Sequence, residues 1–389
     1  MTSATRRALL VSTLAAGFAF SAAAFADTPP SPPDLPVTAP DTPPPAAPTI
    51  PAAPSTTEPV VPTNTPYFTI TDLGPADQVA ADVMPGLNAK GDVTVWRLQD
   101  AGYRPVLVST GTADAVLDTP AGYFNEFAYS LNDNGDAAGW ANTTKNPVDS
   151  LSTTHAFFFS KGKSVDLGTL GGKDSQAYAV NNGGVVVGVS QTNVPRQQRA
   201  FRYADGKLDT LDPLSGGDFS IAFAVNEAGV AVGGASMSVK GSDIQPVHAA
   251  LWRGKKPQDL GTLTPGRGSE AYAINNHNDV VGVADTPTGQ TVFLYSQGHM
   301  TDLDIDDGRA YSINDNRQAV GTHEGTERGY DVGWYWDNGT TYTLNDCIDK
   351  TAGYWIESGD KINDAGQIIC TGRLAHRVHF LLLTPAKRP

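Results

Sequence analysis

Alternation of small and bulky side chains, rather than any long apolar run, organises the chain from residue 67 onward. Ala128, Ala177, Ala222, Ala271 and Ala310 each stand two residues before a second small residue: Ser130, Ala179, Ala224, Ala273 and Ser312. The position between them is aromatic every time: Tyr129, Tyr178, Phe223, Tyr272 and Tyr311. Successive strand side chains point to opposite faces, so a period of two predicts strands with one small and one bulky face. An aliphatic residue and an Asn then follow. This pair recurs at Leu87-Asn88, Leu131-Asn132, Val180-Asn181, Val225-Asn226, Ile274-Asn275, Ile313-Asn314 and Ile362-Asn363.

The gaps between these asparagines are 44, 49, 45, 49, 39 and 49 residues, the spacing of propeller or solenoid repeats. Three residues after the Asn come Gly91, Gly135, Gly184, Gly229 and Gly366, with Asn278 and Arg317 in the remaining two repeats. Gly or Asn there suits a hairpin turn with positive φ, and Arg317 reads as a different turn. The key Asn reads as turn chemistry, its side chain bonding nearby backbone. Each repeat divides into four short strands, which in the third repeat fall at 175–181, 184–189, 199–203 and 208–211.

Seven such repeats fill 67–389. The predicted fold is all-β, a seven-bladed β-propeller of four-stranded antiparallel blades, with the bulky face of one blade against the small face of the next. The first and last repeats depart from the pattern, with Met84-Pro85-Gly86 and Gly359-Asp360-Lys361. The last repeat is also one strand short. Residues 67–74 resemble the fourth strands at 165–168 and 257–261, so the N-terminal strand is predicted to complete the last blade and cover its edge.

Several motifs recur in fixed order: His155-Ala156-Phe157, His248-Ala249-Ala250-Leu251-Trp252, the Asp-Leu-Gly-Thr-Leu runs at 166–170 and 259–263, and the closing strand from His379 to Pro385. Over 67–389 they resemble the extracellular HAF-repeat family. That resemblance implies an exported bacterial repeat protein; it implies no established chemistry and carries over no catalytic residue.

The remainder of the 389-residue chain changes the setting of the fold. Arg6 and Arg7, an apolar stretch from Ala8 to Ala24 and Ala24-Phe25-Ala26 make the three-part pattern of a secretory signal (1–26), cleaved between Ala26 and Asp27. Fifteen of the 28 prolines crowd into 27–66. Proline fixes φ and removes amide donors, so this segment reads as a disordered or polyproline linker. The formal net charge is −14, which argues against a nucleic-acid partner, since phosphate binding needs a basic face. No mature segment approaches the length of a bilayer span. The protein is expected in the periplasm or outside the cell, as a monomer.

Candidate chemistry is sparse. His155, His248 and His379 open the third strands of their blades and read as structural; His376 and His379 lack the partners of a metal site. His323-Glu324 lacks the second His of a zinc-protease helix, and no nucleophile elbow, P-loop or dinucleotide fingerprint occurs. The glycine-rich 168–172 reads as a blade connection. Asn132 to Asp136 slightly resembles a calcium loop but occupies an ordinary hairpin position. The acidic run from Asp302 to Asp307 reads as a solvated connection, with a divalent-cation site as the sharper alternative. No catalytic, metal or cofactor-binding residue is assigned. Cys347 and Cys370 are the only cysteines. An even count in an exported chain allows a disulfide, while Cys370, standing where other repeats carry Gly, could equally be a small core filler.

The longest and least repetitive connections join second to third strands, at 141–154, 190–198, 235–247 and 322–331. Variable loops on a rigid scaffold usually carry binding. Lys145, Arg196, Lys240, Glu324, Glu327 and Arg328 lie in them and mark the candidate interaction face. The sequence reads as a non-catalytic scaffold for a protein or extracellular polymer. The alternatives are a propeller enzyme such as a glycan hydrolase or lyase, and a structural envelope protein tethered by its Pro-rich arm. The first strands present Ala, Ser, Tyr and aliphatics towards the axis, which speaks against the enzyme.

Overall fold

The computed structural model describes residues 65–76, 84–99, 102–109, 113–117, 122–143, 153–242, 244–265, 267–325 and 330–388. The signal, its cleavage site at Ala26 and Asp27, and nearly all of the Pro-rich segment lie outside the described residues. Residues Pro66–Pro389 form one compact unit.

Seven four-stranded antiparallel sheets follow one another along the chain. Blades 1 to 6 span 86–116, 124–166, 171–211, 220–259, 269–306 and 308–343, and each is a simple up-and-down sheet. Blade 7 takes three strands from 354–385 and its fourth, Phe68–Pro75, from the N-terminus. Phe68 pairs with Pro385 and Asp72 with Leu381, so the first and last strands of the propeller lie side by side as expected. The propeller is closed by this clasp. Blade 1 is the least regular, with inner and outer strands of two residues each at Gly86–Leu87 and Ala115–Val116.

The alternating pattern does form strands, but it packs differently from the simple two-faced expectation. The pairing shifts by one residue at the aromatic position, between Ala177 and Ala179, and at the equivalent places in blades 2, 4, 5 and 6. Such a bulge re-aims the extra residue. The aromatic rings then meet one another from blade to blade instead of packing on a small face. Tyr129–Tyr178, Tyr178–Phe223 and Phe223–Tyr272 have centroid separations of 5.8, 5.3 and 5.3 Å. They are half-buried and form an aromatic arc on the innermost strands.

The bulge also explains the glycine in each second strand. Ala177 pairs with Gly188, and a Cβ added at Gly188 would overlap the Gln176 carbonyl oxygen. The same overlap with first-strand backbone arises at Gly139, Gly233, Gly282 and Gly321. In blade 7 the pair is exchanged: Gly359 faces Cys370. Small volume is conserved across the pair while the glycine changes strand, so Cys370 is a core filler. The possible disulfide does not form in this structure. Cys347 and Cys370 are free and buried, and their thiols donate to the carbonyls of Thr343 and Leu381, both at 3.4 Å. Burial pushes the Cys347 thiol up to about 12 and raises Cys370 as well, which keeps both protonated and unreactive.

Arg317 likewise departs from expectation. Its φ is +60°, close to the +65° of Asn278 and the +73° of Gly184. The turn is the same in each, and Arg317 tolerates left-handed backbone at a cost of roughly 1–2 kcal/mol.

Candidate functional site

An up-and-down blade places its connections alternately on two faces of the ring. Hairpins between strands 1 and 2 and between strands 3 and 4 share the turn face. Loops between strands 2 and 3, and the crossings to the next blade, share the loop face.

The turn face is built by the repeated asparagine. Each accepts backbone N–H from its own hairpin, as Asn132 Oδ1 does from Asn134 and Asp136 at 3.0 and 2.8 Å. That much was expected. The side-chain amide also reaches the neighbouring blade, donating to the backbone carbonyl of the next asparagine. The links run Asn88 to Asn132, Asn181, Asn226, Asn275, Asn314 and Asn363, and Asn363 returns to Asn88 at 3.0 Å. All seven form a closed circle of hydrogen bonds 2.9–3.2 Å long. A second tier runs through the following residue: the Asp133 amide bonds Asn182, Asn182 bonds Glu227, Glu227 bonds Asn276, Asn276 bonds Asp315 and Asp315 bonds Asp364. The Ala89 amide joins it by donating to Asp133, but Ala89 has no side-chain oxygen to accept from Asp364, so this tier stays open. Burial, together with the charges of Asp133 and Asp315, raises the Glu227 carboxyl, though the Asn182 amide opposes this.

On the loop face the His and Asp motifs prove to be one device. His155 Nδ1 lies 2.8 Å from Asp166, His248 3.1 Å from Asp259 and His379 2.9 Å from Asp72. In every case the same Asp accepts the backbone N–H two residues on, at Gly168, Gly261 and Gly74. The His therefore braces an Asp-turn that steers the chain out of the fourth strand. In blade 5 Thr291 replaces the His and Asp302 holds the Asp position, bonding the Asp304 amide. This gives Asp302 in the acidic run a structural task. Burial opposes ionisation of Asp72, Asp166 and Asp259, but the donated hydrogen bonds prevail and hold each below the usual carboxylate range. The Asp166 hydrogen bond raises His155.

The axial positions contain chemistry that the sequence reading missed. Two residues before the aromatic bulge stand Gln176, Glu270 and Arg309 in blades 3, 5 and 6. The Tyr178 hydroxyl donates to Gln176 and that of Tyr272 to Glu270, at 2.8 and 2.9 Å. Asp360 occupies the bulge position in blade 7, where blades 2 to 6 carry an aromatic ring. Its Oδ1 accepts from Ser358 at 2.6 Å, while its buried Oδ2 has no hydrogen-bond partner. Burial pushes the Asp360 carboxyl up to about 7 despite the Ser358 hydroxyl and the Lys361 charge. Burial also lowers Lys361 and raises Tyr272 well above its ordinary value. The signal was present, because Asp360 replaces the aromatic and Gln176, Glu270 and Arg309 are polar where Phe127 and Ile221 are apolar, yet nothing in the repeat said which way a bulge would turn them.

The loops singled out from sequence differ in what can be said of them. Lys145, Glu327 and Arg328 lie outside the described residues. Arg196, Lys240 and Glu324 are exposed on the loop face. Arg196 holds a positive φ of +64° at the tip of its loop. The loops of blades 3 and 4 are close neighbours, joined through the crossing between those blades. Gln198 bridges Phe219, the Ser238 amide donates to the Ser215 carbonyl, and the Asp218 amide donates to Gln245. Three large apolar side chains stand out from this pair of loops: Val194, Val239 and Ile244 are 48%, 41% and 76% exposed.

The fold places the chain among β-propellers. Its likeness to solved structures is one of shape alone. The β-propeller domain of the Trilobed protease from Pyrococcus furiosus, with an open velcro topology, has a TM-score of 0.50 and 11% identity, covering 83% of this chain and 96% of that one. Virginiamycin B lyase from Staphylococcus aureus has a TM-score of 0.46 and 14% identity, covering 81% and 99%. Pyrococcus horikoshii acylaminoacyl peptidase has 0.48 and 12%, covering 68% of this chain and 45% of the peptidase. No family model matches the chain, and no curated protein matches it either.

Proposed function

We propose that this protein is an exported, non-catalytic propeller of the HAF-repeat kind that binds a protein or extracellular polymer through its loop face. The observation that carries the reading is the trio Val194, Val239 and Ile244, exposed on two adjoining loops beside Arg196 and Lys240. Exposed apolar side chains grouped on one surface and rimmed by charge mark an interaction site. The His and Asp pairs support a non-catalytic reading, since each repeats at one structural station and braces a turn.

A second reading has its own observation. Glu270 and Asp360 bring carboxyls of raised pKa to the axial strands, as a propeller enzyme would need. Capture of partners from envelope and culture-medium fractions on immobilised protein separates the two. The binding reading predicts that Val194→Ser/Val239→Ser/Ile244→Ser loses the captured partner and that Glu270→Gln/Asp360→Asn retains it. Turnover of polysaccharides or esters that vanished in Glu270→Gln/Asp360→Asn would replace the binding reading with the enzymatic one.

A further inference from the structure

The turn face carries a groove of about 690 Å³ between blades 3 and 4. Its walls come from the end of the third strand of blade 3, the hairpin at Ala228 and Gly229, and the hairpin from Arg253 to Lys255. Three cations face it: Arg202, Arg253 and Lys255. One acid, Asp209, also lines the groove, directly opposite Arg202 in the strand pairing. Asp209 pairs with Lys207 at 2.5 Å, and Glu227 accepts the Asn182 amide. Asp212 lies 3.6 Å from Lys255. Neither Arg202 nor Arg253 has an ion pair or hydrogen bond among the described residues, although the whole chain carries −14.

Gly229 stands at the edge of the groove with φ +74°, and a Cβ there would lie 3.6 Å from the Arg202 guanidinium, in ordinary contact. The floor is apolar: Leu211, Ala231 and Trp252 are buried. Arg253 also walls a second groove, of about 550 Å³, which continues across blade 5 to Arg317 and whose lining includes Asp279 and Asp315, the latter accepting from the Asn276 side chain at 2.8 Å. There Arg317 spends part of its charge on Asp279 at 3.3 Å, in the strained turn described above. The two grooves therefore form a track with a cation shared at its middle.

We propose that this track binds the oxyanions of a linear acidic glycan, with Arg202 and Arg253 as the principal contacts. A guanidinium presents a planar fork of donors that matches carboxylate or sulfate in two parallel hydrogen bonds. Two such forks without acidic partners, on a chain of opposite net charge, select an anion against a background that repels it. Two consecutive grooves suit an extended ligand rather than a single small ion. This site is on the face opposite Val194 and Ile244 and does not depend on the loop-face reading.

The test is equilibrium binding of oligogalacturonate, dextran sulfate and neutral dextran to the full chain. The first arm supplies carboxylate and the second sulfate, so their order identifies the preferred oxyanion. At least one acidic glycan binds, neutral dextran does not, and affinity falls as salt rises. Arg253→Gln and Arg202→Gln each weaken binding roughly tenfold, the loss of one charge-assisted fork. Lys350→Gln, an exposed charge outside both grooves, leaves binding unchanged, as does Val194→Ser/Val239→Ser/Ile244→Ser. Unchanged melting confirms that the arginine variants fold. Equal binding of neutral dextran, full binding by Arg202→Gln/Arg253→Gln, no binding of either acidic glycan, or tighter binding of a single-stranded oligonucleotide would each overturn the proposal.

Discussion

The two faces of the ring are made from the same strands but by opposite means. On the turn face every blade repeats one side chain in one role, and the asparagine circle passes through all seven without interruption. On the loop face, connections change in length and composition from blade to blade. The first arrangement binds each blade to its neighbours; the second leaves the tips of the scaffold free to vary. Stability and recognition are thereby separated in space. The acidic-glycan track is the exception on the turn face, and it is built from third-strand ends and hairpins, not from the asparagines.

The largest effect should come from breaking the ring where it closes. Removing 67–75 takes away Phe68, which is buried beside Cys347 and Leu383, and exposes the whole edge of Arg377–Pro385. Loss of a core aromatic alone costs about 3–5 kcal/mol, so the truncated chain should lose cooperative unfolding when followed by calorimetry. Asn226→Ala comes next. It removes a donor to Asn275 and an acceptor for Val230, both at buried positions, and should cost about 3 kcal/mol in denaturant titration. Glu227→Ala, which touches only the interrupted second tier, should cost less than about 1 kcal/mol. Equal costs for the two would remove the distinction drawn between the closed and open tiers.

Two carboxyls of blade 7 should respond to pH with opposite signs. Asp72 is held below its ordinary value, so its contribution is present above the unfolded carboxylate pKa and is lost as pH falls through the lower folded one. Asp360 is raised to about 7. Its contribution is present in acid and is lost as pH climbs from the ordinary carboxylate range through about 7. Asp360→Asn should therefore stabilise the ring at pH 8, by about 2 kcal/mol, and Asp72→Asn should weaken it by about 1 kcal/mol once solvent screening is allowed for. Melting curves at pH 3, pH 5 and pH 8 check both, the Asp72 effect shrinking between pH 5 and pH 3 and the Asp360 effect growing between pH 5 and pH 8. Destabilisation by Asp360→Asn at pH 8 would show that Asp360 is held by a partner rather than penalised by burial.

How far the sequence revealed this arrangement follows from what a repeat can encode. Period-two alternation, the aliphatic-Asn spacing and the one-strand deficit of the last repeat gave blade number and closure, because each is a local pattern copied along the chain. The inter-blade reach of the asparagine was hidden, since its partner is some 39 to 49 residues away, except for Asn363 and Asn88 at opposite ends. Bulge direction was hidden too. Tyr178 read as an alternating strand residue until the register shift turned it, and Asp360 read only as a departure from the pattern. The loop face offered sequence only the negative sign of irregularity; that Val194 stands on a loop adjoining the one that carries Val239 and Ile244 follows from the crossing that joins two blades.

The smallest structural effect belongs to those loop tips, and it is where the account is most exposed. Val194→Ser/Val239→Ser/Ile244→Ser changes side chains already in water, so the unfolding free energy should change only within the scatter of surface substitutions, about ±0.5 kcal/mol. The decisive measurement is capture of native envelope and medium components by this variant beside the unaltered protein, with melting recorded on the same samples. The account predicts unchanged melting and at least a tenfold loss of the captured partner. Undiminished capture by the folded variant would contradict the loop face as the binding surface.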